Sequence, residues 1–230
     1  MLRLSVLLVS CCWLALLSCH PSETVPIKTG QDYVPLVTGH FVVYDVTEQR
    51  FSLTAAPVTS TYQLKETVGA SYTDVTGQPA FRLQRFRRAN AQAIWQTDSL
   101  WTARIDSRMA IRTENGADFV KLIFPPVERS RWNGNQFNQY GEDTYELRNV
   151  NQPYSVGNQA FTETVTILQQ NDSTLVSQDR RMEVYARQIG VVYKETIQLQ
   201  FCSSNPACVG KAQIDFGVRR YVRVASYGME

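Results

Sequence analysis

Alternating apolar and polar positions recur after residue 40 and predict a chain built from β-strands. Residues 61–68 place Tyr62, Leu64 and Val68 on one side, and residues 191–201 repeat this alternation. Side chains of a strand point in turn to opposite faces, so such segments are typical of strands with one apolar face. Further strands are predicted at 40–46, 80–88, 93–96, 99–105, 108–113, 118–124, 144–150, 160–169 and 212–225.

Residues 182–189 carry the one helical pattern. Met182, Tyr185, Ala186 and Ile189 are spaced at i, i+3, i+4 and i+7, which favours a short helix ending at Gly190. Met182, Val184 and Ala186 also alternate as in a strand, so both interpretations stay open. We adopt the helix.

Two neighbouring segments predict turns. Asn115 and Gly116 stand between two apolar runs, and both residue types accept the positive φ of a tight hairpin turn. Pro125 and Pro126 should end the second strand because proline cannot donate to the strand ladder.

Composition supports a folded, mainly β domain. Apolar residues make up 43% of the chain and charged residues 19%, enough for a sizeable core. No repeat of 20–50 residues is visible, which argues against propellers and solenoids. We predict a single antiparallel sheet curled into a barrel or half-barrel, with one short helix; a β-sandwich is the alternative.

The first eighteen residues resemble an export signal. Arg3 precedes an apolar run from Leu4 to Leu17, which is too short to span a bilayer as a helix. The run ends Leu16-Leu17-Ser18-Cys19, which resembles the lipobox of bacterial lipoproteins. That resemblance implies acylation of Cys19; the second match, ending at Cys11, would leave a much shorter apolar run. We predict a signal peptide at 1–18, a lipidated tether at 19–32 and a single β-rich domain at 33–230.

The remaining cysteines predict a disulfide. Cys11 and Cys12 leave with the signal and Cys19 carries lipid, so Cys202 and Cys208 remain as a pair. In an exported chain such a pair is typical of a disulfide. Two thiols without further ligands do not complete a zinc shell.

Pairing of these cysteines leaves the last hairpin out of register. If Cys202 faces Cys208, polar Gln198 and Gln200 share a face with apolar Ile214 and Phe216. Because one extra residue flips every following side chain, we predict a bulge near Gly210 or Gly217.

Several motifs in order resemble a group of uncharacterised Bacteroidetes lipoproteins. The opening match is Asp32-Tyr33-Val34-Pro35-Leu36, followed by Gly39, Phe41, Tyr44 and Val46. Others are Tyr62-Gln63-Leu64-Lys65-Glu66, Phe119–Pro125, Trp132-Asn133-Gly134-Asn135, Glu183–Ala186 and Ile189–Glu195. Val34 and Val43 replace aromatic residues of the group. The resemblance implies an origin in that phylum and an unknown function.

Charges suggest no nucleic-acid partner. The net charge is +2, so the domain has no long-range field to recruit a polyanion. Four arginines cluster at 82–88, and we interpret them as a solvated strand face, with an anion or partner site as the alternative.

Candidate catalytic chemistry is sparse. The chain has two histidines, His20 and His40, too few for a zinc site built from histidines. A serine triad would have to use His40. No phosphate loop is present. We expect no catalytic, cofactor or metal residues, and hence no enzyme and no cofactor.

Three charged residues interrupt apolar strand faces. Glu66 follows Tyr62 and Leu64, Glu195 stands between Tyr193 and Ile197, and Arg220 between Val218 and Val222. An inward carboxylate is costly unless it is paired. We predict an internal charge network of Glu66, Glu195 and Arg220, with an open barrel mouth or an acid–base site as alternatives.

Three functions fit these observations. The first is a non-catalytic cell-envelope lipoprotein, anchored in the outer membrane at Cys19, with a binding or assembly role and a protein partner. The second is a carrier holding a lipid or other apolar ligand in the curled sheet. The third is a hydrolase using two carboxylates.

Overall fold

The computed structural model describes residues 29–230, which form one antiparallel sheet of twelve strands. A single turn of 3-10 helix (Gln31–Tyr33) precedes them. The strands are β1 (His40–Ser52), β2 (Ala55–Thr73), β3 (Pro79–Arg88), β4 (Gln96–Ile105), β5 (Met109–Glu114), β6 (Ala117–Ile123), β7 (Arg131–Asn133), β8 (Thr144–Val156), β9 (Gln159–Ser173), β10 (Ser177–Ala186), β11 (Gly190–Phe201) and β12 (Ile214–Met229).

The strand order curls the sheet into a nearly closed barrel. β1 pairs with β12, and from that seam the order runs outward to β6 on one side and β7 on the other. These two ends meet, because the Val120 N–H donates to the Gly134 carbonyl at 2.9 Å and the Trp132 indole N–H donates to the Val120 carbonyl at 2.8 Å. The predicted single antiparallel sheet is confirmed, in its barrel form. The strand predicted at 93–96 is wrong, because residues 89–95 form the connection between β3 and β4.

The β5–β6 hairpin confirms the turn predicted at Asn115 and Gly116. Asn115 and Gly116 have φ values of 51° and 82°, and they form the two-residue turn. β6 ends at Ile123, before Pro125 and Pro126.

The predicted helix at 182–189 is wrong. Residues up to Ala186 belong to β10, which pairs with both β9 and β11, and a turn with Gln188 at φ 61° leads to Gly190. Glu183, Val184, Tyr185 and Ala186 are all buried. Both faces of this end of β10 are covered, so buried residues follow one another instead of alternating. Their spacing therefore resembles that of a helix.

The final hairpin contains the predicted bulge. Gln200 lies opposite Phe216 and Phe201 opposite Ile214, so Asp215 is the extra residue. Gly217 follows with φ 134°, and a Cβ there would lie 2.2 Å from the Gln198 carbonyl oxygen. Only glycine fits this close approach of two strands.

Contacts with the barrel begin before the predicted domain boundary at residue 33. The Gln188 N–H donates to the Asp32 carbonyl at 2.6 Å, and the Arg187 guanidinium donates to the Asp32 carboxylate at 2.5 Å. Tyr33 is fully buried beneath these contacts. The 3-10 helix therefore belongs to the domain and not to the tether.

The apolar core lies on the covered faces of the sheet. One cluster joins the 3-10 helix to β5, β6, β8 and β9, and a second is built mainly from β1, β2, β11 and β12. The most buried residues of the two clusters include Val46, Val120, Leu122, Leu147, Val165, Ile167 and Val192.

Candidate functional site

A row of alternating charges crosses the inside of the barrel. It begins on β2 and β3, where Glu66 lies opposite Arg85 in the strand register and 3.4 Å from its guanidinium. Arg85 also lies 3.5 Å from Asp98, the bulge residue of β4. Arg112 of β5 donates to the same Glu66 carboxylate.

The row continues through β5, β6, β10 and β11. Glu114 lies 3.5 Å from Arg112 and 3.4 Å from Lys121. The Lys121 and Lys194 ammonium groups each lie 2.8 Å from one Glu183 oxygen. We call the whole set the ion-pair ladder; it comprises Asp98, Arg85, Glu66, Arg112, Glu114, Lys121, Glu183 and Lys194.

The ladder carries four positive and four negative side chains and is therefore balanced. Burial alone would raise the pKa of Glu114, but Lys121, Lys194 and Arg112 outweigh it and bring the pKa to about 2. The same competition holds the pKa of Glu183 well below its ordinary value, although that side chain is buried. These carboxylates are stable anions and poor proton donors.

Tyr185 extends the ladder into the core. Its hydroxyl donates to the second Glu183 oxygen at 2.7 Å. Burial raises the pKa of Tyr185 well above its usual value, and the negative charge of Glu183 adds to this effect. Glu183 thus accepts from three donors, as a buried carboxylate requires.

The three residues of the predicted network have separate partners. Glu66 belongs to the ladder, whereas Arg220 lies 3.6 Å from Glu48. Glu195 pairs with Arg180 at 3.0 Å and accepts from the Tyr193 hydroxyl at 2.7 Å.

The faces of β11 explain this outcome. Lys194 lines the barrel interior, so its neighbour Glu195 points to the opposite face. Alternation identified which residues share a face but not which face is inside. In the described part of the chain, no contact joins Glu66, Glu195 and Arg220 into one network.

Two interior cavities adjoin the ladder, and both are small. One, of about 60 Å³, is lined largely by apolar residues such as Leu36, Val42 and Val68. The other, of about 80 Å³, lies between Trp101, Arg112 and Arg220. Sites for drug-sized ligands occupy roughly 300–1,000 Å³, so neither cavity holds a lipid molecule.

A larger opening of about 500 Å³ lies at the barrel end that carries the β5–β6 turn. Glu48, Arg50, Arg87 and Arg220 line it together with the outer end of the ladder. We call this opening the mouth cleft. It shares Trp101 and Arg220 with the 80 Å³ cavity, which lies directly beneath it.

Aromatic rings support two arginines in the mouth cleft. The Arg85 guanidinium lies 3.6 Å from the centre of the Trp101 ring, and that of Arg87 lies 3.7 Å from the centre of the Tyr62 ring. Such cation–π contacts hold the guanidinium groups in place. The Arg85 guanidinium is engaged by Glu66 and Asp98, whereas that of Arg87 forms no ion pair within residues 29–230.

The arginine cluster at 82–88 is divided between the two faces of β3. Arg85 and Arg87 line the mouth cleft, whereas Arg82 and Arg88 project from the other face and lie over Tyr72 and Trp95. The solvated-face interpretation therefore describes only half of the cluster.

The disulfide prediction is confirmed. Cys202 and Cys208 are bonded, with Cα atoms 5.7 Å apart, in the connection between β11 and β12. The signal peptide and Cys19 lie outside the described residues.

Residues 29–230 contain neither a candidate metal site nor a membrane-spanning helix. Within that range no group of three or more His, Cys, Asp or Glu side chains could hold a metal ion. No helix in the same range is long and apolar enough to cross a membrane. His40 is buried at the start of β1, and that burial lowers the pKa of its imidazole.

One solved structure is weakly similar to this chain. No family model and no curated protein matches the chain. A solved structure from Bacteroides fragilis, described as a candidate exported protein with a YmcC-like fold, is 11% identical; the match covers 84% of this chain and 97% of that one, with a TM-score of 0.38. Membership of the Bacteroidetes lipoprotein group stays a prediction.

Proposed function

We propose that this protein is a non-catalytic cell-envelope lipoprotein, anchored through Cys19, whose barrel binds a partner or ligand at the mouth cleft. The ion-pair ladder carries the proposal. It fills the middle of the barrel with paired charges and leaves cavities of only about 60 and 80 Å³. Recognition is therefore expected at the rim of the barrel rather than within it.

The ladder also bears on the carrier hypothesis. A lipid tail inside this barrel would have to lie against Glu66, Arg112, Lys121 and Glu183, which form ion pairs with one another and with their neighbours. Separating buried ion pairs leaves uncompensated charges and costs several kcal/mol. Solvent extraction of the purified protein is expected to release no non-covalently bound lipid; one lipid per chain would contradict the proposal.

The hydrolase hypothesis loses its two candidate acids. Glu66 is engaged by Arg85 and Arg112, and Glu195 by Arg180 and Tyr193. The two carboxylates lie on opposite faces of the sheet, since Glu66 lines the interior and Glu195 does not. They cannot flank one scissile bond, as paired glycosidase acids do.

Acylation can be tested by labelling. We expect cells grown with an alkyne-tagged palmitate to label the wild-type protein and a Cys11→Ala variant, but not Cys19→Ala. Cys11 is the matched control because it ends the second lipobox-like stretch. Label retained by Cys19→Ala would contradict anchoring at that residue.

A further inference from the structure

The mouth cleft has a surplus of positive charge. Its lining includes the ladder residues Arg85, Asp98, Glu114 and Lys194, which belong to a balanced set. The remaining charged side chains are Arg50, Arg87 and Arg220, against Glu48 alone. Glu48 is shared by two of them, at 2.7 Å from Arg50 and 3.6 Å from Arg220.

Arg87 is the cation best placed to meet a ligand. It is exposed, it rests on the Tyr62 ring, and no carboxylate within residues 29–230 forms an ion pair with it. Its N–H groups are therefore available in a fixed orientation. A guanidinium held in this way pairs well with the oxygens of a carboxylate or phosphate.

The cavity under the mouth cleft is less suited to an anion. Three carboxylates, those of Glu66, Glu114 and Glu183, line it together with four cationic side chains. The unbonded Trp101 Nε1, Arg112 Nε and Arg220 Nε atoms are fully buried, so a guest in the cavity does not touch them. An anionic group is therefore expected in the mouth cleft itself.

We infer that the mouth cleft is an oxyanion site, which takes a carboxylate or phosphate group of a larger ligand. The anionic group pairs with Arg87, and the rest of the ligand occupies the open 500 Å³ cleft beside Arg50 and Arg220. This inference rests on the binding role proposed above and gives that role a ligand chemistry.

Calorimetric titration of the purified protein tests this site, using inorganic phosphate and citrate as probes and sodium chloride at equal ionic strength as the blank. We expect one-to-one saturation with at least one probe, and the tighter of the two identifies the chemistry of the ligand. Failure of both probes to saturate beyond the chloride blank would overturn the inference. The labelling of Cys19 is independent of this result, so the site can fail while the anchor stands.

Variants on the two faces of the sheet separate a site from general charge attraction. Arg87→Gln should weaken binding of the probe by about tenfold or more, since it removes charged hydrogen bonds. Arg82→Gln is the matched control, because Arg82 is an exposed arginine on the opposite face of the same strand, stacked on Tyr72. An equal loss in both variants would overturn the inference.

Discussion

Lys121 donates a hydrogen bond to Glu183 at 2.8 Å across the inside of the barrel, although 62 positions separate the two residues in sequence. β6 and β10 are not neighbours in the sheet, so the contact crosses the barrel. Burial lowers the pKa of Lys121, but Glu114 and Glu183 outweigh it and raise the pKa above its ordinary value. Both ends of this bond therefore stay charged in the core.

Neutralising Glu183 should destabilise the fold strongly. Glu183→Gln leaves Lys121 and Lys194 without their shared carboxylate, and breaking a buried ion pair from one side costs about 3–5 kcal/mol. Urea unfolding followed by circular dichroism measures the change. Glu142→Gln, at an exposed glutamate, is the control and should alter the free energy of unfolding by less than about 0.5 kcal/mol. Similar values for the two variants would contradict the structural role of the ladder.

Acid should destabilise the protein through Glu114. Its pKa is about 2 in the folded chain against an ordinary 4.5. Its contribution is therefore fully present above pH 4.5 and is lost as the pH falls toward 2. The loss is on the order of 3 kcal/mol. Free energies of unfolding measured from pH 6 to 2 should show a shallower decline in Glu114→Gln than in the wild type; parallel curves would count against the prediction.

Gly217 should not tolerate a side chain. Gly217→Ala places a Cβ 2.2 Å from the Gln198 carbonyl oxygen at φ 134°, so the β11–β12 pairing must shift. We expect a loss of more than about 2 kcal/mol in the free energy of unfolding. Gly77→Ala shares a positive φ but meets no atom within 4 Å, so it isolates the cost of the backbone conformation. The steric account fails if Gly77→Ala is equally destabilising.

Removing the disulfide should have a moderate effect. Cys202 and Cys208 are six positions apart, and closure of so short a loop stabilises the fold by about 2 kcal/mol. The double variant Cys202→Ser, Cys208→Ser should remain folded with a lower melting temperature. A double variant as stable as the wild type would show that the β11–β12 connection is ordered without its covalent link.

The sequence predicts the strands better than it predicts the site. The Asn115-Gly116 turn and the bulge beside Gly217 were predictable because each depends on local backbone requirements or on strand register. The helix at 182–189 failed because burial of both faces of β10 depends on β9, β11 and the curvature of the sheet. Those contacts are tertiary and leave no local pattern.

The ladder was found only in part. Glu66 was predicted because it breaks an alternating apolar face. Lys121 and Glu183 carried a similar signal, each within a short apolar stretch, but nothing in the sequence shows that they meet. Glu195 was assigned to the wrong face because alternation does not reveal which side of a strand becomes the interior.

Mass spectrometry of the mature protein, isolated from its native membrane, tests whether Cys19 carries the lipid anchor. We expect an N-terminal peptide that begins at Cys19 and carries the added mass of a diacylglyceryl group. An unmodified thiol at Cys19, or a mature chain that retains residues 1–18, would contradict this expectation.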